Sequence, residues 1–286
     1  MNSITVKGPF DMRSSIESGQ PLAFHSEYGG NGSSFEASYS TSKGAIRASA
    51  SGKIINYSWL GSYTSETAKR EIENRFCLSE DMRPIYKRIA TDEFMNSAIS
   101  AYKGMRVTRN DPWETTLCFI LSQFNNMKRI RGSVRMLINS YGTGLEGSSA
   151  RLFPSPEDIS MASIKDLMRH GAGFRAKYIK SAAEACSGSL DLYSLYKMDY
   201  ATAKGTLMEI DGIGDKVADC ILLFAYRKME AFPVDTWVKR VIEKVYFNGR
   251  KQKIKTLHSF ASERWGGAEG YAQQYLFWHA RTLKIK

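Results

Sequence analysis

Between Phe35 and Tyr57 the chain alternates apolar and polar residues with a period of two. The runs are Phe35-Glu36-Ala37-Ser38-Tyr39, Ala45-Ile46-Arg47-Ala48 and Lys53-Ile54-Ile55-Asn56-Tyr57. Alternation of this kind predicts strands of an antiparallel sheet with one face toward water. Lys43-Gly44 and Ser51-Gly52 fall between the runs, where hairpin turns belong. From about Ser65 the apolar period lengthens to that of a helix. Ser79-Glu80-Asp81 and Asp111-Pro112 carry helix-start chemistry, an oxygen-bearing cap followed by an acid or a first-turn proline. Helices are predicted over Trp113–Gln123, Met127–Tyr141, Ser163–His170, Ala176–Cys186 and Asp199–Glu209. Further helices are predicted over Asp215–Lys228, Thr236–Tyr246, Ile254–Trp265 and Ala268–Leu283. Gly142 to Gly147 and Pro154-Ser155-Pro156 read as loops. The fold class is α+β: a small N-terminal antiparallel β-sheet domain, residues 1–97, followed by a larger all-α domain, residues 98–286.

Composition narrows the class. With 43% apolar and 12% aromatic residues the chain is not globally disordered. No apolar run approaches the roughly 20 residues that span a bilayer. The start, Met1 to Gly8, lacks the blocks of a signal peptide, so a soluble intracellular protein is expected. Forty Lys and Arg against 29 Asp and Glu leave a net charge of +11, which favours a polyanionic partner such as nucleic acid. Cys77, Cys118, Cys186 and Cys220 form no C-x-x-C pair or His/Cys cluster of metal spacing. Reduced core thiols and no cofactor are expected.

The segment Leu207 to Ala218 carries the most chemistry. A helix ends near Ile210, Gly212-Ile213-Gly214 turns the chain, and a second helix begins near Asp215. Glycines at both turn positions permit positive φ and let an anion approach the backbone amides. The second helix offers its free N–H groups and positive dipole end to the same anion, with Ile213 plugging the turn into the core. A bare G-x-G also fits a plain corner closed by a glycine cap. Lys216 opens the second helix, and nineteen residues later Pro233-Val234-Asp235 leads into the helix from Thr236. By themselves, Lys216 reads as a phosphate-binding cation and Asp235 as a helix cap.

Together, Gly212-Ile213-Gly214-Asp215-Lys216-Val217-Ala218-Asp219-Cys220 and Pro233-Val234-Asp235 resemble the helix–hairpin–helix glycosylase superfamily, in detail the 8-oxoguanine DNA glycosylases. The resemblance implies excision of oxidised guanine from duplex DNA and strand cleavage at the resulting abasic site. It makes Lys216 the nucleophile and Asp235 the electrostatic partner and proton handler. The chemistry suits these groups: an amine attacks the sugar C1′ to form a Schiff base, and a carboxylate stabilises positive charge on the sugar.

The resemblance covers most of the chain. Ser18-Gly19-Gln20 is similar to the segment whose glycine carbonyl accepts N7–H of 8-oxoguanine. Gly270 to Phe277 resembles the helix closing the base pocket, with Gln273 on the Watson–Crick edge and Phe277 and Cys220 on the two faces. Pro233 belongs to the same pocket. Gly212, Gly214 and Val217 would hold the backbone phosphate. In Gln123 to Ile130, Asn126 would hold the backbone near the flipped base and Arg129 would meet the estranged cytosine. In Gly173 to Tyr178, Phe174 would be the wedge and Arg175 a second contact to that cytosine. The carbonyls of Met208, Ile210 and Ile213 would hold any structural cation. The chain departs from the family at Phe124, where the better-known members carry asparagine, so an aromatic is expected in the vacated gap. Trp237 replaces a histidine that contacts phosphate in other members. The basic run from Lys239 to Lys255 holds seven cations and one acid, and reads equally as a solvated face or as part of a phosphate track. The expected partner is double-stranded DNA containing oxidised guanine, bound by a monomer. The alternatives are a non-catalytic helix–hairpin–helix DNA-binding protein and a monofunctional alkylated-base glycosylase.

Overall fold

The computed structural model describes residues 2–20, 23–28 and 34–285, with 24–28 described by their backbone alone. One antiparallel sheet holds β1 (Asn2–Thr5), β2 (Phe24–Tyr28), β3 (Phe35–Ser40), β4 (Gly44–Ser51) and β5 (Ile54–Gly61), in the order β1-β5-β4-β3-β2. The three strands expected from alternation are β3, β4 and β5, and their register sets Ala37 opposite Ala48 and Ala48 opposite Tyr57. The outer strands β1 and β2 were not foreseen. The sequence between β2 and β3, Gly29-Gly30-Asn31-Gly32-Ser33-Ser34, does carry a turn signal, whereas β1 reaches β5 across some fifty residues with no local signal.

Phe35, Ala37, Tyr39, Ile46, Ala48, Ile55 and Tyr57 point inward and form a small core with two helices. These are α1 (Met12–Glu17), through Met12 and Ile16, and α2 (Ser65–Arg75), through Ala68 and Ile72. A second and larger core takes in Ala23 and then runs from Met82 onward. It is built by α3 (Met82–Ile89), α4 (Glu93–Ala101), α5 (Pro112–Leu121), α6 (Met127–Tyr141), α7 (Pro156–Ser160) and α8 (Ile164–Leu167). To these are added α9 (Ala176–Ser187), α10 (Tyr200–Met208), α11 (Asp215–Phe224), α12 (Thr236–Tyr246), α13 (Ile254–Trp265) and α14 (Glu269–Thr282). Both α3 and α4 pack against α14, so the chain's last helix meets its first large-core helices.

Several boundaries differ from the sequence expectation. Pro154-Ser155-Pro156 is a helix start: the Ser155 side chain caps α7 in a capping box with Asp158, and Pro156 occupies the first turn, where no N–H is needed. The helix expected over Ser163–His170 stops at Leu167 and passes into a distorted turn, with Gly171 at φ +88° and Gly173 at φ +57°. The helix expected to Lys228 ends at Phe224.

Arg75 is one of the buried groups that join the two cores. Arg75 at the end of α2 donates to both carboxylate oxygens of Glu114 on α5 at 3.0 Å, to Glu71 at 2.9 Å and to Asn110 at 3.3 Å. Its guanidinium lies 4.4 Å from the centre of the Tyr39 ring. Arg75→Met strands the buried Glu114 carboxylate, and unfolding in urea should lose about 3–5 kcal/mol. The double substitution Arg75→Met/Glu114→Leu should recover most of that loss, because no unpaired charge is left behind.

Candidate active site

The hairpin between α10 and α11 is built around Gly212, at φ +85°, where an added Cβ would sit 2.3 Å from the Tyr178 ring. Ile213 is buried in the large core, as expected, and its amide donates to the Ile210 carbonyl at 3.0 Å. Gly214 corrects the expectation of positive φ at both glycines. It is extended, at φ −94° and ψ −179°, and serves as the N-cap of α11 without a side-chain cap. The first-turn amides of α11, including that of the buried Val217, therefore have no capping side chain and face the turn. A Cβ at Gly214 would meet nothing within 4 Å, so the folded chain alone does not require glycine there.

Lys216 projects from that first turn with its Nζ 5.6 Å from the centre of the Phe119 ring. Asp235 caps α12, its Oδ1 accepting the Val238 amide at 2.8 Å. Both line one open cleft of about 820 Å³ together with Gly19, Phe119, Phe124, Asn126, Met127, Trp237, Phe277 and Arg281. Burial lifts the Asp235 carboxyl above its ordinary value, against the amides of Val238 and Trp237 and the charges of Lys216 and Arg281. Cys220 is buried one turn below Lys216, and burial pushes its thiol up to about 11 against the pull of the Lys216 amine.

Gly19 reaches this cleft because its neighbours hold it there. Ser18 offers its carbonyl to Gln274 of α14 at 2.9 Å. The Gln20 side chain bonds Arg106 O at 2.7 Å and Thr108 N at 2.9 Å. Gly19 itself sits at φ +89°, and a Cβ there would lie 3.2 Å from Met127 Sδ and 3.8 Å from Phe277 Cε1. The positive φ is what favours glycine there, since the flexible end of Met127 could give way and the Phe277 distance is ordinary contact. Gln273 and Pro233 are buried and do not line the open cleft, and Gln273 Oε1 has no hydrogen-bond partner among the described residues.

The rim is aromatic. Phe124 is 96% exposed and held at φ +46°, a conformation that bulky residues rarely adopt without support. The support is Arg175, whose guanidinium donates to Gln123 O at 2.6 Å and to Phe124 O at 3.0 Å. This revises the expectation for Arg175. It is 8% exposed and spent on carbonyls, instead of standing free for a base, and it lies 4.4 Å from the centre of the half-exposed Phe174 ring. Gln123 Nε2 donates to Gly212 O at 3.0 Å, tying the rim loop to the hairpin. Asn126 caps α6 by accepting the Arg129 amide at 3.0 Å, and the Arg129 side chain is exposed beside it.

Sequence reasoning missed Phe119, Met127, Arg281 and Gln274. Phe119 and Met127 read as ordinary helix-core positions. The Gln273-Gln274 pair in an otherwise aromatic helix was a usable sign that two polar groups were needed there.

A sheet domain joined to a helical domain, with a glycine hairpin presenting a lysine into the same cleft as a capping aspartate, defines a helix–hairpin–helix DNA-repair protein. The chain belongs to the HhH-GPD superfamily of base excision DNA repair proteins, whose model matches residues 117–265, while residues 4–116 match the 8-oxoguanine DNA glycosylase N-terminal domain. It is 32% identical to a probable N-glycosylase/DNA lyase of Methanothermobacter thermautotrophicus, covering 76% of each chain. It is similar to the structure of MBOgg1 in complex with a low-affinity DNA ligand, with a TM-score of 0.89 and 28% identity over 99% of this chain and 96% of that one. It is also similar to the Clostridium acetobutylicum 8-oxoguanine glycosylase/lyase in complex with duplex DNA containing cytosine opposite 8-oxoguanine, with a TM-score of 0.86 and 26% identity over all of both chains.

Proposed function

We propose that this protein is a bifunctional DNA glycosylase/AP lyase that excises 8-oxoguanine from duplex DNA and then cleaves the strand. The observation that carries the reading is the convergence of Lys216, Asp235, Gly19 and Phe277 on one cleft beside the hairpin. The amides of Gly212, Gly214 and Val217 hold a backbone phosphate, while the +11 charge supplies the sequence-independent attraction. The damaged nucleotide leaves the stack and enters the cleft. Gly19 offers its carbonyl to N7–H, a proton that guanine lacks, Gln273 takes the Watson–Crick edge, and Phe277 and the Cys220 side flank the ring. For Gln273 the unpartnered buried Oε1 supports this role.

The Lys216 amine attacks C1′, the bond from C1′ to N9 breaks, and the base leaves with a proton. Asp235 stabilises the cationic sugar and handles protons. The sugar ring then opens: the C1′–O4′ bond breaks, O4′ takes up a proton, and C1′ is left as a Schiff base with Lys216, which acidifies C2′, whose proton is removed as the 3′ C–O bond breaks. A water-activating aspartate alone would serve an alkylated-base enzyme, and Lys216 has no task in that chemistry. A purely docking protein could use Lys216 on phosphate and Asp235 as a cap, but would not need both to line one cleft with Gly19 and Phe277. The chain is read as acting alone, as a monomer. Among the described residues no helix is long and apolar enough to cross a membrane. The Ile210 carbonyl already accepts one amide, so a structural cation on the carbonyls of Met208, Ile210 and Ile213 would use its second lone pair.

Incubation with a duplex carrying one 8-oxoguanine opposite cytosine, in the presence of borohydride, should give a covalent protein–DNA adduct absent on undamaged duplex. Loss of both adduct and free base would sink the reading. Phe124 is assigned to the vacated gap, with Phe174 wedged beside it. Phe124→Ala should slow excision through about 1–3 kcal/mol of lost stacking, on the order of ten- to a hundredfold. Its thermal midpoint should stay in place, since the wild-type ring is already in water.

A further inference from the structure

Directly beneath the hairpin lies a polar cluster that the excision chemistry does not use. Lys204 on α10 places its Nζ 2.8 Å from Asp215 Oδ1 and 2.8 Å from Asp219 Oδ1, and 3.1 Å from the Tyr200 hydroxyl. Tyr200 donates to the same Asp219 oxygen at 2.5 Å. Each carboxylate thus has one oxygen engaged by Lys204. The other oxygens face His258 of α13, whose Nε2 stands 3.9 Å from Asp215 Oδ2 and 4.0 Å from Asp219 Oδ2. Asp219 is fully buried, and neither its Oδ2 nor His258 Nε2 has a hydrogen-bond partner among the described residues. Two buried polar atoms aimed at one point are costly unless something between them satisfies both.

We propose that Asp215, Asp219 and His258 form a divalent metal site, of the kind zinc occupies. Their three ligand atoms lie within 4.8 Å of one another, and they supply one imidazole nitrogen and two carboxylate oxygens. Bonds of about 2.0–2.2 Å to a tetrahedral ion require ligand separations of about 3.3 Å, which small side-chain rotations would reach. Lys204 and Tyr200 hold the carboxylates from behind, leaving one oxygen of each for the ion, as outer hydrogen bonds do at metal sites. Ligation takes deprotonated carboxylates and a neutral imidazole, and with the Lys204 ammonium that set carries one net negative charge, which favours a divalent cation. Asp215 is 54% exposed at its side chain, so water can enter and complete the coordination. An ion here would staple α10, α11 and α13 together and fix the turn in which Lys216 directly follows Asp215.

The test is metal binding by the full chain after stripping with a chelator, and it does not depend on glycosylase activity. Calorimetry with Zn2+ should show one saturable equivalent, Co2+ should give visible absorption bands, and Zn2+ should raise the thermal midpoint. Asp215→Asn, at an exposed position, and His258→Ala should each weaken binding by about 100-fold. Absence of saturable binding by the wild type, or binding of unchanged strength in both variants, would overturn the site.

Discussion

Lys216→Gln is expected to abolish borohydride trapping and to lower single-turnover release of 8-oxoguanine on the order of 10⁴-fold or more, the scale on which enzymes lose a covalent nucleophile. Glutamine keeps much of the length of the side chain and its contact with Phe119, but offers no amine to C1′. The variant should still bind the lesion duplex, because the hairpin amides and the remaining cations are untouched. The dependence of its affinity on salt should flatten by no more than about 0.9 in logarithmic slope, the share of one phosphate contact. Persistence of base release at the wild-type rate without trapping would confine Lys216 to phosphate binding. Loss of binding together with activity would leave the nucleophile unassigned.

Asp235→Asn should separate two roles that one side chain performs. Asparagine caps a helix as well as aspartate does, so the Val238 amide keeps its acceptor and α12 its start. Loss of the charge should slow excision by about 10² to 10³, the cost of removing one electrostatic stabiliser of a transition state. Asp235→Ala should lose activity and, with the cap, about 1 kcal/mol of stability. The direction of the pH effects follows from burial, which holds the carboxyl above its ordinary value. The ionised form is the working one, so excision should fall on acidification along a limb displaced upward from that of a free aspartate. For folding the sign is reversed. The folded chain binds this proton more tightly than the unfolded chain, so the stability linked to it is present at low pH and lost as pH rises through the raised value. At neutral pH the Asn variant should therefore be at least as stable as wild type. A cap-only role would give an Asn variant of full activity, and rate measurements on the lesion duplex decide between them.

Much of the site was legible without coordinates because its signals are local. The caps at Asp111 and Asp235, the glycine turn at Gly212 and the period-two strands each follow from a few neighbouring residues and their backbone preferences. The pairing of β1 with β5 was not legible, because nothing within either segment names its partner. The same holds for the turn after α8, where two glycines and the bond from Ser133 Oγ to Gly171 O at 2.7 Å override an apolar helical pattern. Arg175 shows the difference most clearly. The sequence marks it as a cation beside an aromatic, whereas the packed chain turns it inward to hold Phe124 in a backbone conformation that Phe124 could not keep alone.

By itself the sequence determined the hairpin and the α+β order of elements, since these rest on residue type and short-range periodicity, while the roles proposed for Lys216 and Asp235 rest on the resemblance. Only the tertiary structure decided that Gly19, some two hundred residues earlier in the chain, meets Lys216 and Phe277 in one cleft, and that His258 faces two aspartates of α11. Those meetings depend on long-range packing of α14, α13 and the strap around Gln20. The contacts that fix them are scattered along the chain, so no local stretch of sequence specifies them.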